Sequence, residues 1–175
     1  MGRRKAFGAP ELGALARAVP LARELIGERF ALADDWFDRT SHCILSAREL
    51  RAGELLGGGR LAEIRRVFRL QGDVAGRFVA CERLCPHYRI CLQDHNILDR
   101  VRTDPGLKLP ELLVGVLTHE YVHLVRFCRL EHPYHAPEER RAREESRVRE
   151  LTREILLRSG HAPLRRAAES LGRRP

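Results

Sequence analysis

A chain of 175 residues with 43% hydrophobic and 32% charged side chains is long enough to bury one core and too short for two comfortable ones. Its composition is that of an ordinary globular protein and implies no membrane class, while a formal charge of +8 raises the question of an anionic partner. The cations are nearly all arginine, with Lys5 and Lys108 the only lysines, and in the last third they alternate with glutamate instead of forming a stripe, so a nucleic-acid partner is not expected.

Residues 1–45 read as a peripheral helical segment, in which Leu12, Leu15, Val19, Leu25 and Ile26 recur at roughly helical spacing and Pro20 starts or kinks the helix. No uninterrupted apolar run follows the basic start, and Ala6 stands where a myristoylation site needs Ser or Thr, so neither export nor an anchor is expected. Five cysteines without an export signal then point to the cytoplasm and reduced thiols. Residues 46–56 form a second amphipathic stretch, expected to be a helix stopped by Gly57, Gly58 and Gly59, a run without the spacing of a phosphate loop.

The period then changes. β-branched and aromatic residues in 61–70 and 77–80, around Gln71, Gly72 and Asp73, predict a hairpin, and 88–92 reads as another short strand. Asp104, Pro105 and Gly106 make a turn. The main helix opens with Pro110 and Glu111, where a missing N–H costs nothing and negative charge meets the positive helix end, and it runs to about Leu130. A last helix fills 137–159, with Val148, Leu151, Thr152, Ile155 and Leu156 on one face, and 163–175 reads as a frayed tail.

The chemistry stands in the main helix. Nearly every side chain from Leu112 to Phe127 is apolar, so the helix belongs at the centre of the domain, yet His119, Glu120 and His123 occupy its middle. Burying a carboxylate beside two imidazoles without compensation costs several kcal/mol, and a divalent metal compensates them directly. At about 100° per residue His119 and His123 lie about 40° apart and one turn along the same face, so two imidazole nitrogens can converge on one ion. Glu120 lies about 60° from His123, beside that face, placed to act as general base on a metal-activated water rather than as a ligand.

Val116-Leu117-Thr118-His119-Glu120-Tyr121-Val122-His123-Leu124-Val125 resembles the HExxH pattern of the zincin metallopeptidases at every position. The metzincin variant fails, because Arg126 and Arg129 stand where Gly and His would be, and no Asp follows Asp104 to serve an aspartate-ligand class. What remains is similar to the glutamate-zincins, whose third ligand is a Glu from a second helix. The last helix offers Glu144 and Glu145, and the run Glu144-Glu145-Ser146 is similar to the Glu-Glu-Ala segment of small bacterial regulatory metallopeptidases, which favours Glu145; Glu144 and His132 are the alternatives. The resemblance runs from the His119 region to Leu156.

It implies an α+β fold, a helix-rich zincin-like single domain with a small antiparallel sheet, a central HExxH helix and a catalytic core at 60–160. It also implies Zn2+ on His119, His123 and Glu145, Glu120 as catalytic base, and a peptide or protein substrate, with 88–92 as the edge strand that pairs with it; no membrane partner is expected. The competing reading is a non-catalytic metal-binding scaffold serving as a regulatory interaction or nucleic-acid module. Cys81, Cys85, His87 and Cys91 are spaced unlike a zinc knuckle and read as buried thiols with a neighbouring histidine. His161 is a further histidine that could donate to an oxyanion, as the resemblance suggests.

Overall fold

The computed structural model describes residues 5–68 and 86–172. In chain order the elements are α1 (Ala9–Phe30), α2 (Trp36–Arg39), β1 (His42–Leu45), a 3-10 turn (Ala52–Glu54), β2 (Ala62–Phe68), β3 (Pro86–Leu92), α3 (Asp94–Thr103), α4 (Leu109–Cys128), α5 (Glu138–Arg158) and α6 (Leu164–Gly172). The architecture is α+β and helix-rich, with one small sheet among the described residues. No described helix is long and apolar enough to cross a membrane.

α4 is the centre. Pro110 lies in its first turn, the Glu111 carboxylate accepts from the Lys108 N–H at 3.3 Å, and its apolar run buries residues on every side. α1, α3, α5, α6 and β2 all pack on it. The buried cluster runs from Phe7 to Ala168, so the described part of the segment 1–45, residues 5–45, is not peripheral. α1 buries Ala14, Ala18, Ala22, Leu25 and Ile26, and the alanines recur every fourth residue, which presents a smooth strip that lets two helix backbones approach closely. The helix starts where the Gly8 N–H donates to Glu11 Oε2 at 2.8 Å, continues through Pro20, and ends at Ala31 in the left-handed region. The Phe7 N–H donates to Asp94 Oδ2 at 2.8 Å and Arg129 Nη2 to the Phe30 carbonyl at 2.7 Å, tying α1 down at both ends. Just beyond it, Trp36 packs edge-on against Phe37, whose ring meets Tyr121 of α4 at 4.9 Å.

The sheet is mixed, with order β1-β3-β2, and not purely antiparallel: β1 runs parallel to β3, with Ile44 opposite Ile90, and β2 runs antiparallel to it, with Ile64 opposite Ile90. Strand 88–92 is therefore central rather than the edge, and buries Tyr88, Ile90, Cys91 and Leu92 as a strand flanked on both sides should. Among the described strands, the edge beside α4 is β2. Its expected hairpin partner 77–80 and the turn 71–73 lie outside the described residues.

Residues 46–56 form turns instead of a helix, because their polar side chains bind nearby backbone: Glu49 accepts from the Ser46 N–H and Glu54 from the Arg51 N–H, both at 2.9 Å. Glu54 is also drawn away to Arg89 of β3, at 2.8 Å. The expected frayed tail is in part α6, which buries Leu164, Ala167 and Ala168 against its neighbours. Its approach is close, since a Cβ on Gly115 of α4 would lie 2.8 Å from Leu171 Cδ1.

Candidate metal centre

His119 and His123 project from the same face of α4, one turn apart, with ring centroids 5.0 Å apart. Opposite them α5 presents Glu145, whose Oε1 lies 3.4 Å from His119 Nε2 and whose Oε2 lies 3.3 Å from His123 Nε2. Donor atoms of all three residues fall within 4.8 Å of one another, which is the span a single cation can bridge. Two imidazoles and one carboxylate form a borderline donor set suited to zinc.

The two adjacent glutamates have different fates. Glu144 turns inward, and its carboxylate accepts from Arg126 Nε at 2.6 Å and Nη2 at 3.0 Å, a two-pronged pairing that leaves it committed to α4. Glu145 faces the histidines, with Arg149 Nε on its Oε1 at 3.0 Å. Burial pushes the Glu145 carboxyl up, but hydrogen bonds and charge from His119 and His123 outweigh it and hold it well below the usual carboxylate range. His132 is not part of the converging group. Both its ring nitrogens are buried without a partner among the described residues, and its ring sits 6.2 Å from Phe127, which stacks on His123 at 5.8 Å.

Glu120 is 5% exposed and reaches the same cleft without joining the three converging side chains. Burial pushes its carboxyl up to about 7, with His123 opposing and the nearby Glu145 and Glu63 charges adding to the rise. The cleft is open and about 930 Å³ in volume. Its floor is α4 from Val116 to Phe127, one wall is Ala62 to Ile64 of β2, and the other is the first half of α5. Tyr134 closes one end, its hydroxyl donating to the Ile64 carbonyl at 3.4 Å, and Arg100 with Ser170 stand at the other.

Other sequence candidates do not assemble there. His161 is exposed and outside the cleft lining. Cys91 is buried, and burial pushes its thiol up to about 11, as an inert core cysteine requires. His87 lies four residues away on the same extended strand, about 13 Å at the usual rise, so the two do not form one site. It meets instead Ser41 Oγ at 2.8 Å and Cys43 Sγ at 3.3 Å. Cys81 and Cys85 lie outside the described residues. The β2 wall and the Arg100 end are not legible in the sequence, because both come to α4 only through long-range packing; the β-branched and aromatic residues of β2 are visible there, its place beside α4 is not. No protein family, curated protein or solved structure matches this chain.

Proposed function

We propose that the protein is a zinc-dependent hydrolase that cleaves peptide bonds, with His119, His123 and Glu145 holding the metal and Glu120 as the base. The observation that carries this is the meeting of both Nε2 atoms with one carboxylate in an open cleft, with Glu120 beside them and not bound into their group. Zinc in that position supplies Lewis acidity to the scissile carbonyl and to the attacking water. The chain's own residues do the rest. Glu120 takes a proton from the attacking water at a carboxylate oxygen and delivers it to the leaving nitrogen as the C–N bond breaks, so acid and amine products balance. Among the described strands β2 pairs only with β3, and its Ala62 to Ile64 stretch lines the cleft wall, where an extended substrate can take up main-chain hydrogen bonds. This reading keeps the enzyme in the cytoplasm with its thiols reduced and gives it a peptide or protein substrate.

One observation favours a second reading. Arg149 already bonds Glu145, so its guanidinium, with the two imidazoles beside it, satisfies that carboxylate without a metal, leaving a scaffold that serves as a binding module. Elemental analysis of purified protein separates the two: the hydrolase reading expects about one zinc per chain, and His123→Ala should remove it. Equal metal content in both proteins would end the zinc assignment.

A further inference from the structure

Arg100 stands in the last turn of α3, at the end of the cleft away from Tyr134. Its Nη1 donates to the Ser170 carbonyl at 3.1 Å and to Ser170 Oγ at 3.4 Å. Among the described residues it has no carboxylate partner. Other arginines of the cleft wall do: Arg60 pairs with Glu63 at 3.3 Å and Arg149 with Glu145 at 3.0 Å. Arg141 is exposed on the opposite rim.

Capping the last carbonyls of α6 accounts for one N–H of Arg100 and asks for no charge. The guanidinium is a fork of five donors that matches a carboxylate two atoms at a time, and Nε and Nη2 bond no described residue. Ser170 adds a donor of its own. Its Oγ accepts from Arg100, so the hydroxyl proton is left to point elsewhere, and the residue is only 3% exposed, which holds it in one place. Leu171, the next residue, abuts Gly115, and Gly115 lies one helical turn, about 6 Å, before His119. At about 3.3 Å per extended residue, that end of the cleft is two or three residues from the histidines.

We infer that Arg100 and the Ser170 hydroxyl form a carboxylate-binding subsite, and that the substrate is a peptide bearing a carboxylate two or three residues from the bond that is cut. The position relative to a cut bond rests on the hydrolase reading; the subsite itself does not. The carboxylate is either a free chain terminus or an Asp or Glu side chain.

The test is binding of fluorescein-labelled hexapeptides to the Glu120→Gln protein, followed by anisotropy. Three peptide sets are used: free C-terminal acids, C-terminal amides with one Glu, and the same amides with Gln. The first two sets separate a terminal from a side-chain carboxylate. At least one carboxylate set should bind about tenfold more tightly than the neutral set, as a charge-assisted forked contact gives. Arg100→Gln should bring the ratio within about twofold, Arg100→Lys should keep most of it, and Arg141→Gln should leave it alone. A merely structural Arg100 would not separate Gln from Lys in this ratio. Ser170→Ala, which keeps the charge, gives a second measure and should lower the ratio about threefold. No carboxylate preference, including no binding by any peptide, overturns the subsite, as does a preference that survives Arg100→Gln. Zinc-loaded wild type that cuts neutral and acidic peptides alike leaves the hydrolase standing and removes the subsite. A carboxylate preference in binding with no cleavage by wild type does the opposite.

Discussion

α4 and α5 are nearly equal in length and opposite in character. α4 is apolar around its whole circumference and contributes two imidazoles from a packed interior. α5 is charged around most of its surface, is buried along one stripe of Val148, Leu151, Ile155 and Leu156, and contributes a carboxylate from the margin of that stripe. The difference teaches what each side of the site needs. Imidazole rings need fixed directions, which packing provides, whereas a carboxylate needs only to arrive with its charge intact, which a half-solvated helix margin allows.

The comparison breaks most sharply on the α4 side. His123→Ala should take zinc content from about one per chain to near zero, and cleavage with it, by elemental analysis and peptide assay. Next is Glu120→Gln, which leaves the three donor side chains in place. Zinc should stay bound while cleavage falls by about 10² to 10⁴. A variant that loses its zinc would move Glu120 into the ligand set, and one that keeps full activity would remove it from the reaction.

On α5 the neighbouring glutamates should separate two properties. Glu145→Gln should weaken zinc binding strongly, and Glu139→Gln, 83% exposed, should not. Glu144→Gln should leave zinc binding alone and lower unfolding free energy by about 2 kcal/mol, since it removes one charge of the Arg126 pair where both partners are largely covered. Chemical denaturation and competitive zinc titration on the same three proteins would sharpen or reverse the assignment.

The smallest effect is in pH. The carboxyl of Glu145 is held low in the folded protein, so its contribution to stability is present above the unfolded value near 4.5 and is lost as pH falls below it. Metal-free wild type should therefore lose thermal stability below about pH 4.5 more steeply than metal-free Glu145→Gln. Parallel melting curves for the two would show that the carboxylate is not held by the histidines.

What could be read in the chain follows from how local each signal is. α4 announces itself through Pro110, Glu111 and an unbroken apolar run, and the His119–Glu120–His123 spacing is contained within one turn. Glu145 could be preferred over Glu144 through its similarity to a known segment, although what commits Glu144 elsewhere is Arg126 on another helix. The sheet order could not be read, because nothing within 88–92 says that β1 will join it on the side away from β2. α6 is hidden in the sequence for a related reason. Nine residues rich in arginine do not hold a helix alone, and Leu164, Ala167, Ala168 and Leu171 become a helical face only against the notch that Gly115 leaves in α4.

The long-range contacts that hold α1 at its two ends have a kinetic consequence. Phe7 bonds Asp94, 87 positions on, and Phe30 bonds Arg129, 99 positions on. Helices form in microseconds or less, but joining segments so far apart in sequence comes later and sets the pace of folding. The sequence has a single tryptophan, Trp36, and it stands against Phe37 where that ring meets Tyr121 of α4. Its fluorescence is thus a built-in clock for that closure: in stopped-flow refolding, the Trp36 signal should lag the far-ultraviolet circular dichroism that reports the helices themselves.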